Sequence, residues 1–230
     1  INIINSETDL ALHPAPNLFM EFSGGSAMAL QEILPLVEEI SASVFRHPSA
    51  LISVARIKTH DEYTFMHSVA VCALMVALAR QLNLDPHLVK EAGIGGLMHD
   101  LGKAVMPLEV LNKPGKLTDD EYSIMKLHPE AGWKMLHDSG EATQGTLDIA
   151  LHHHEKVDGT GYPKGLKGDQ ISLLSRMGAV CDVYDAVTSN RPYKQGWDPA
   201  ESIKRMASWK GHFDETIFKA FVRSIGIYPI

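Results

Sequence analysis

EYTFMHSVAVCALMVALARQL, residues 62–82, is the stretch that decides the fold. Val69, Ala73, Val76 and Arg80 trace one row at helical spacing, and His67, Val71, Leu74 and Leu78 trace another. The spacing predicts a strong helix from Glu62 to Leu82. No period-2 pattern persists elsewhere, so the expectation is an all-α chain, a helical bundle built around this segment.

Working outward toward the N-terminus, Ala27–Arg46 carries a helical apolar rhythm through Leu30, Ile33, Leu34, Val37, Ile40 and Val44, despite Pro35. Pro48 ends it, and Ser49–Lys58 is a short helix candidate. Residues 1–25 hold the breakers His13-Pro14-Ala15-Pro16 and Ser23-Gly24-Gly25 and read as an arm or linker.

Toward the C-terminus, Asp85-Pro86 is an N-cap with a first-turn proline, opening Pro86–Asp100. Leu108–Lys116 reads as a loop. Thr118-Asp119-Asp120-Glu121 is a capping box for a helix running to about Asp138. Gln144–His153 is a further helix. Residues 155–170 are turn-rich, Ser172–Ser189 is a long helix, and Asn190–Trp197 is a loop. Asp198-Pro199 and Asp214 start the last two helices. The organisation expected is an irregular arm (1–25), an N-terminal helical segment (26–58) and a catalytic domain (59–230).

With 230 residues, 45% hydrophobic and 21% charged, the chain has the composition of an ordinary globular protein. A formal charge of −7 argues against a groove for polymeric nucleic acid, which needs a basic stripe. Cys72 and Cys181 sit in apolar surroundings without CxxC spacing, as buried thiols of a reducing compartment do. No apolar run approaches ~20 residues, so no membrane span is expected, and no signal peptide is evident. The chain begins at Ile1, so a longer protein with a sensory or anchoring module is open.

Twelve histidines are many for this length, and most lie between His60 and His154. A lone histidine on an apolar helix face, such as His67, is more often hydrogen-bonded core. Spacing carries the argument instead. Asp182 has Gly178, Ala179 and Ala186 as helical neighbours, an expensive place for a carboxylate without a counter-charge. His99-Asp100 ends an apolar helix just before Leu101-Gly102-Lys103, where Gly102 permits a sharp turn. Adjacent ligands point in different directions and can serve two metals, with Asp100 bridging. His128 precedes Pro129, and His153-His154 completes the set. Imidazole and carboxylate in this number suit a pair of cations that clamp phosphorus.

These residues, with Glu155, Asp158-Gly159, Gly161-Tyr162-Pro163 and Asn190-Arg191-Pro192-Tyr193-Lys194, resemble the HD-GYP family, a branch of the HD-domain phosphohydrolases. The resemblance covers residues 60–228. It implies an all-α fold, a bacterial origin, a cytoplasmic site and hydrolysis of cyclic di-GMP to linear pGpG, in many members onward to GMP, with the stopping point here left open. It implies one ion held by His67, His99, Asp100 and Asp182, and another by Asp100, His128, His153 and His154. Iron or manganese is the family's usual metal; nickel and zinc also suit such ligands. Some members carry a glutamate one turn before the first ligand histidine, completing a third site. Here that position is Tyr63, with Glu62 rotated ~100° away, so two ions are expected.

The two ions should share a water of lowered pKa that attacks phosphorus in line as hydroxide. Lys103, a site residue by resemblance, is placed to reach the same phosphate or to serve as a helix-end cation. Arg191 and Lys194 are phosphate-binding candidates, and Tyr162 a hydrogen-bonding or stacking one. Glu155 and Asp158 are expected to orient the histidines, and Asp185 to support them or to pair with Arg176. His152 is expected to be structural. The Gly-Tyr-Pro loop also serves partner contacts in the family, so a homodimer or a signalling partner is open. Two alternatives stand beside this reading: a phosphodiesterase for another cyclic dinucleotide, such as 3'3'-cyclic GMP-AMP, and a non-catalytic dinucleotide-sensing or partner-binding module.

Overall fold

The computed structural model describes residues 30–46, 63–190 and 195–226. The arm at 1–25, the helix expected at Ser49–Lys58, and His60, Glu62, Arg191 and Lys194 lie outside them. The described residues form α1 (Leu30–Arg46), α2 (Tyr63–Gln81), α3 (Pro86–Met98), α4 (Leu108–Leu111), α5 (Asp119–Met125), α6 (His128–Ser139), α7 (Gln144–His152), α8 (Leu173–Thr188), α9 (Pro199–Ser208) and α10 (Glu215–Ser224). Two short 3-10 turns, Leu101–Val105 and Gly168–Gln170, join them. Among the described residues there is no strand, only an isolated bridge between Asp158 and Lys167.

Helix α2 is the axis of the bundle. It packs against α1, α3, α8 and α10, and every residue from Ala70 to Ala79 is buried. The two rows seen in the sequence are therefore not one wet face and one dry face. A helix apolar all round belongs at the centre. Gly96 lets α3 lie close against α2, since a Cβ there would sit 3.0 Å from the Cα of Cys72. That approach brings His67 of α2 beside the end of α3. Cys72 and Cys181 are buried free thiols.

The caps follow the local chemistry. Asp85 accepts from the His87 amide, with Pro86 opening α3. Thr118 and Glu121 form a reciprocal capping box. Asp198 and Asp214 each accept two first-turn amides.

Two expectations are corrected. Leu108–Leu111 is a single helical turn rather than loop. The helix predicted from Thr118 to Asp138 is two helices, broken at Lys126-Leu127. Pro129 has no amide hydrogen to give the Met125 carbonyl four residues back and its ring crowds that carbonyl, so the first helix ends at Met125 and the chain restarts as α6 with the proline in its first turn. The break puts His128 at the first position of a new helix instead of the middle of an old one.

Candidate metal centre

His67 projects from α2, Asp182 from α8, and His128 opens α6. His99 caps the end of α3, His153 caps α7, and Asp100 and His154 each follow at once. The structure brings all seven together. His67, His99 and Asp100 form one group of converging ligand atoms, and His128, His153 and His154 form another.

Three of the histidines share one local device. The Nδ1 of His99 donates to the Gly96 carbonyl at 2.8 Å, that of His128 to Met125 at 2.7 Å, and that of His153 to Ile149 at 3.0 Å. His99 and His128 thus satisfy carbonyls left open at the end of the preceding helix, while His153 adds a second donor to the Ile149 carbonyl that its own amide already bonds. A carbonyl only accepts, so Nδ1 carries the proton and Nε2 is left as a lone pair facing the centre. His67 does the same with a side chain: its Nδ1 donates to Asp185 Oδ2 at 2.6 Å. Fixing the tautomer from behind is how metal-binding imidazoles are oriented.

In front, the Nε2 atoms crowd. His67 and His99 meet at 3.3 Å, as do His128 and His153. At the His128–His153 pair, neutral rings held as above would oppose lone pair to lone pair at that distance, and a cation resolves the conflict. Asp100 stands between the pairs. Its Oδ2 is 3.3 Å from His99 Nε2 and 3.5 Å from His67 Nε2. Its Oδ1 is 3.3 Å from His128 Nε2 and 3.8 Å from His153 Nε2. That Oδ1 is buried and accepts no hydrogen bond among the described residues. Asp182 Oδ1 lies 3.1 Å from His67 Nε2, and its Oδ2 lies 3.7 Å from His154 Nδ1. The donor set and the orphaned oxygen fit a divalent metal site.

Electrostatics agree. Burial alone would raise the Asp100 pKa, but His99, Lys103 and His128 hold it well below the carboxylate range. Asp182 is likewise held down against its burial, chiefly by His67 and His154. Burial would push His67 down, yet Asp182 and Asp185 lift it to about 9. Burial drives His153 well down and His154 down to about 3. Anionic Asp100 and Asp182 beside His153 and His154, which burial keeps neutral, give the centre negative charge that a protonated His67 or a bound cation balances.

Around this centre the expected helpers divide. Lys103 Nζ reaches Asp100 Oδ2 at 2.5 Å. Tyr162 stacks on the His154 ring, centroids 4.7 Å apart, and burial pushes its phenol up. Asp185 supports His67, while Arg176 pairs with Asp214 and Asp169 instead. His152 is not among the converging ligand atoms, and its Nδ1 lies 3.9 Å from Glu155 Oε1.

Glu155 and Asp158 do not orient the histidines. Buried Glu155 accepts the Lys164 and Leu166 amides at 2.7 and 3.0 Å and holds the Gly-Tyr-Pro loop, while Asp158 accepts from Thr160. Gly102 is needed for close approach rather than for a turn. A Cβ there would lie 2.0 Å from the His128 carbonyl oxygen. The carbonyl anchors and the Lys164–Glu130 pair at 2.5 Å, which ties the loop to α6, were not foreseen. A histidine falling at a helix end was the available signal for the first of these.

The HD domain pattern matches residues 40–217. The chain belongs to the HD domain family. This HD domain is 59% identical over 214 residues to the cyclic di-GMP phosphodiesterase PA4108 of Pseudomonas aeruginosa, covering 93% of this chain and 52% of that protein. It is 36% identical over 198 residues to the cyclic di-GMP phosphodiesterase response regulator RpfG of Xanthomonas campestris, covering 84% and 51%. The chain spans about half the length of these curated relatives. Among solved structures, Bd1817, an HD-GYP-type protein of Bdellovibrio bacteriovorus, superimposes with a TM-score of 0.74 at 24% identity, over 90% of this chain and 67% of that one. That likeness bears on the fold alone. Among the described residues, no helix of the HD domain is long and apolar enough to cross a membrane.

Proposed function

We propose that this HD domain is a phosphodiesterase that opens cyclic di-GMP to the linear dinucleotide pGpG, using two divalent metal ions. The observation that carries the reading is the division of one carboxylate: Asp100 turns Oδ2 to His67 and His99, and Oδ1 to His128 and His153. One ion would be held by His67, His99, Asp100 and Asp182, and the other by Asp100, His128, His153 and His154. Two ions there supply a water of lowered pKa and neutralise charge on the phosphoryl oxygens. Iron or manganese is the proposed pair, and Tyr63, standing where a third-site glutamate would be, supports two ions rather than three.

The chain's own residues do the rest. The backbone carbonyls and Asp185 keep each imidazole in the ligating tautomer. Lys103 keeps Asp100 anionic and offers a point charge to a phosphate. Tyr162 keeps its proton and can donate it in a hydrogen bond beside His154. Arg191 and Lys194 are proposed to grip a phosphate. The curated cyclic di-GMP phosphodiesterases among its relatives support the substrate. The buried unpaired thiols support a reducing compartment such as the cytoplasm.

The test is anaerobic purification with metal counting, then a product-resolved assay offering cyclic di-GMP and 3'3'-cyclic GMP-AMP side by side. Two ions per chain and faster conversion of cyclic di-GMP to pGpG are expected. Three tightly held ions would reject the two-metal site, and metal-loaded protein without turnover would reject the activity.

A further inference from the structure

Tyr122 is a large aromatic side chain that the core does not use. It sits on α5, and 48% of it is exposed. Its ring stands at 80° to that of Tyr162, with centroids 6.5 Å apart. Tyr162 in turn stacks on His154, and His154 faces the metal centre. An aromatic path therefore leads from a candidate ligand out to solvent, and its outer end is open. Just past the end of α5, Lys126 Nζ lies 5.1 Å from the Tyr122 ring centroid. An ammonium on a flexible stem can leave that ring face and follow a phosphate.

Fold stability does not account for this placement. An exposed helix position takes lysine or glutamate at least as readily as tyrosine. A cyclic dinucleotide whose scissile phosphate is at the metals must send its purines outward along the walls of the cleft. Every base has a flat π-face, and aromatic side chains hold such faces without regard to hydrogen-bond pattern. We infer that Tyr122 is a substrate-binding residue, a stacking platform for a purine of the dinucleotide at the outer end of the His154–Tyr162 path. The inference rests on the proposed cyclic dinucleotide reading and adds the residue that grips a base.

The experiment compares wild type, Y122A, Y122F and Y122W for turnover of cyclic di-GMP and of bis(p-nitrophenyl) phosphate, a diester without a purine. Bound metal per chain and the Kd for cyclic di-GMP are measured alongside. Y122A is expected to raise KM and Kd for cyclic di-GMP roughly 5- to 100-fold, the span of base–aromatic stacking. Its kcat and metal content should move far less, and the purine-free diester should show a much smaller loss. Y122F and Y122W should stay near wild type. An unchanged KM in Y122A, an equal loss on both diesters, or a Y122F as weak as Y122A would overturn the inference. Turnover with Tyr122-independent KM sinks the platform and spares the activity. Tyr122-dependent binding without turnover sinks the activity and spares the platform. Absence of both binding and turnover sinks both.

Discussion

His67 is gripped through Nδ1 by Asp185 at 2.6 Å, while its Nε2 faces Asp182 at 3.1 Å. Both carboxylates come from α8, one turn apart, so a single helix grips the buried imidazole from behind and sets a candidate ligand in front. Both carboxylates are buried, which makes them costly in any role other than one that needs their charge.

Asp185 should therefore govern metal affinity without touching metal. D185N still accepts the Nδ1 proton but lacks the charge, and a loss of roughly 10-fold in affinity is expected. D185A should approach 100-fold, the upper range for such supporting groups. Competition against a chromophoric chelator measures both. Wild-type affinity in D185A would show that the ring is held by packing alone.

Asp100 should matter to both ions at once. D100N keeps the shape and removes the charge that both histidine pairs share. Bound metal is expected to fall well below one ion per chain, and affinity by more than the ~10- to 100-fold that supporting groups cost. Elemental analysis of desalted protein decides it. Retention of one full equivalent would mean that the two groups are independent sites.

Gly102 should be intolerant of even one methyl group. In G102A the added carbon would meet the His128 carbonyl oxygen at 2.0 Å and the Gly132 amide at 2.4 Å, both backbone atoms that cannot swing away. An overpacking penalty of about 1–3 kcal/mol is expected, lowering Tm by about 3–10 °C in metal-free protein. Calorimetry of the metal-free form separates this from any loss of ligand geometry at His128.

Much of this was legible in residue spacing. The central helix and the caps at Asp85, Thr118, Asp198 and Asp214 follow from periodicity and local chemistry, while the grouping of His99-Asp100 with His153-His154 follows from the resemblance to HD-GYP proteins. What was not legible depends on contacts between distant segments. Gly102 reads as a turn glycine until α6 is seen lying against it. Glu155 reads as a support for its neighbouring histidines until its partners prove to be amides nine and eleven residues on. The break before His128 was written in Pro129, but the capping box upstream was read as opening one continuous helix.

His212 should make the fold acid-sensitive away from the metal centre. It stacks on Trp209 and leans against Phe213, and burial, aided by Lys156, pushes its pKa down to about 4. An unfolded histidine titrates near 6.5, so between about pH 6.5 and 4 the unfolded chain takes the proton first and stability falls with pH. Allowing for its partial exposure, about 1–2 kcal/mol should be lost across that window. In H212Q that part of the loss should vanish. Parallel urea titrations at pH 7 and pH 4.5 check it, and identical pH dependence in the two proteins would remove His212 from the account.

Glu155 should be irreplaceable by its own amide. It is buried and accepts two backbone N–H groups, from Lys164 and Leu166, that close the loop around Tyr162. A carboxylate offers acceptors at both oxygens. Glutamine offers one acceptor and an NH2, which would face one of those amides donor to donor. E155Q is therefore expected to leave a buried N–H unsatisfied, at a cost of about 1–3 kcal/mol. Because Tyr162 stacks on His154, the loosened loop should also weaken substrate binding more than it slows turnover at saturation. E155D keeps the charge but shortens the reach, and should fall between wild type and E155Q. Denaturation curves together with KM and kcat for the three proteins test both parts, and an E155Q protein with wild-type stability and KM would show that the loop is held by other contacts.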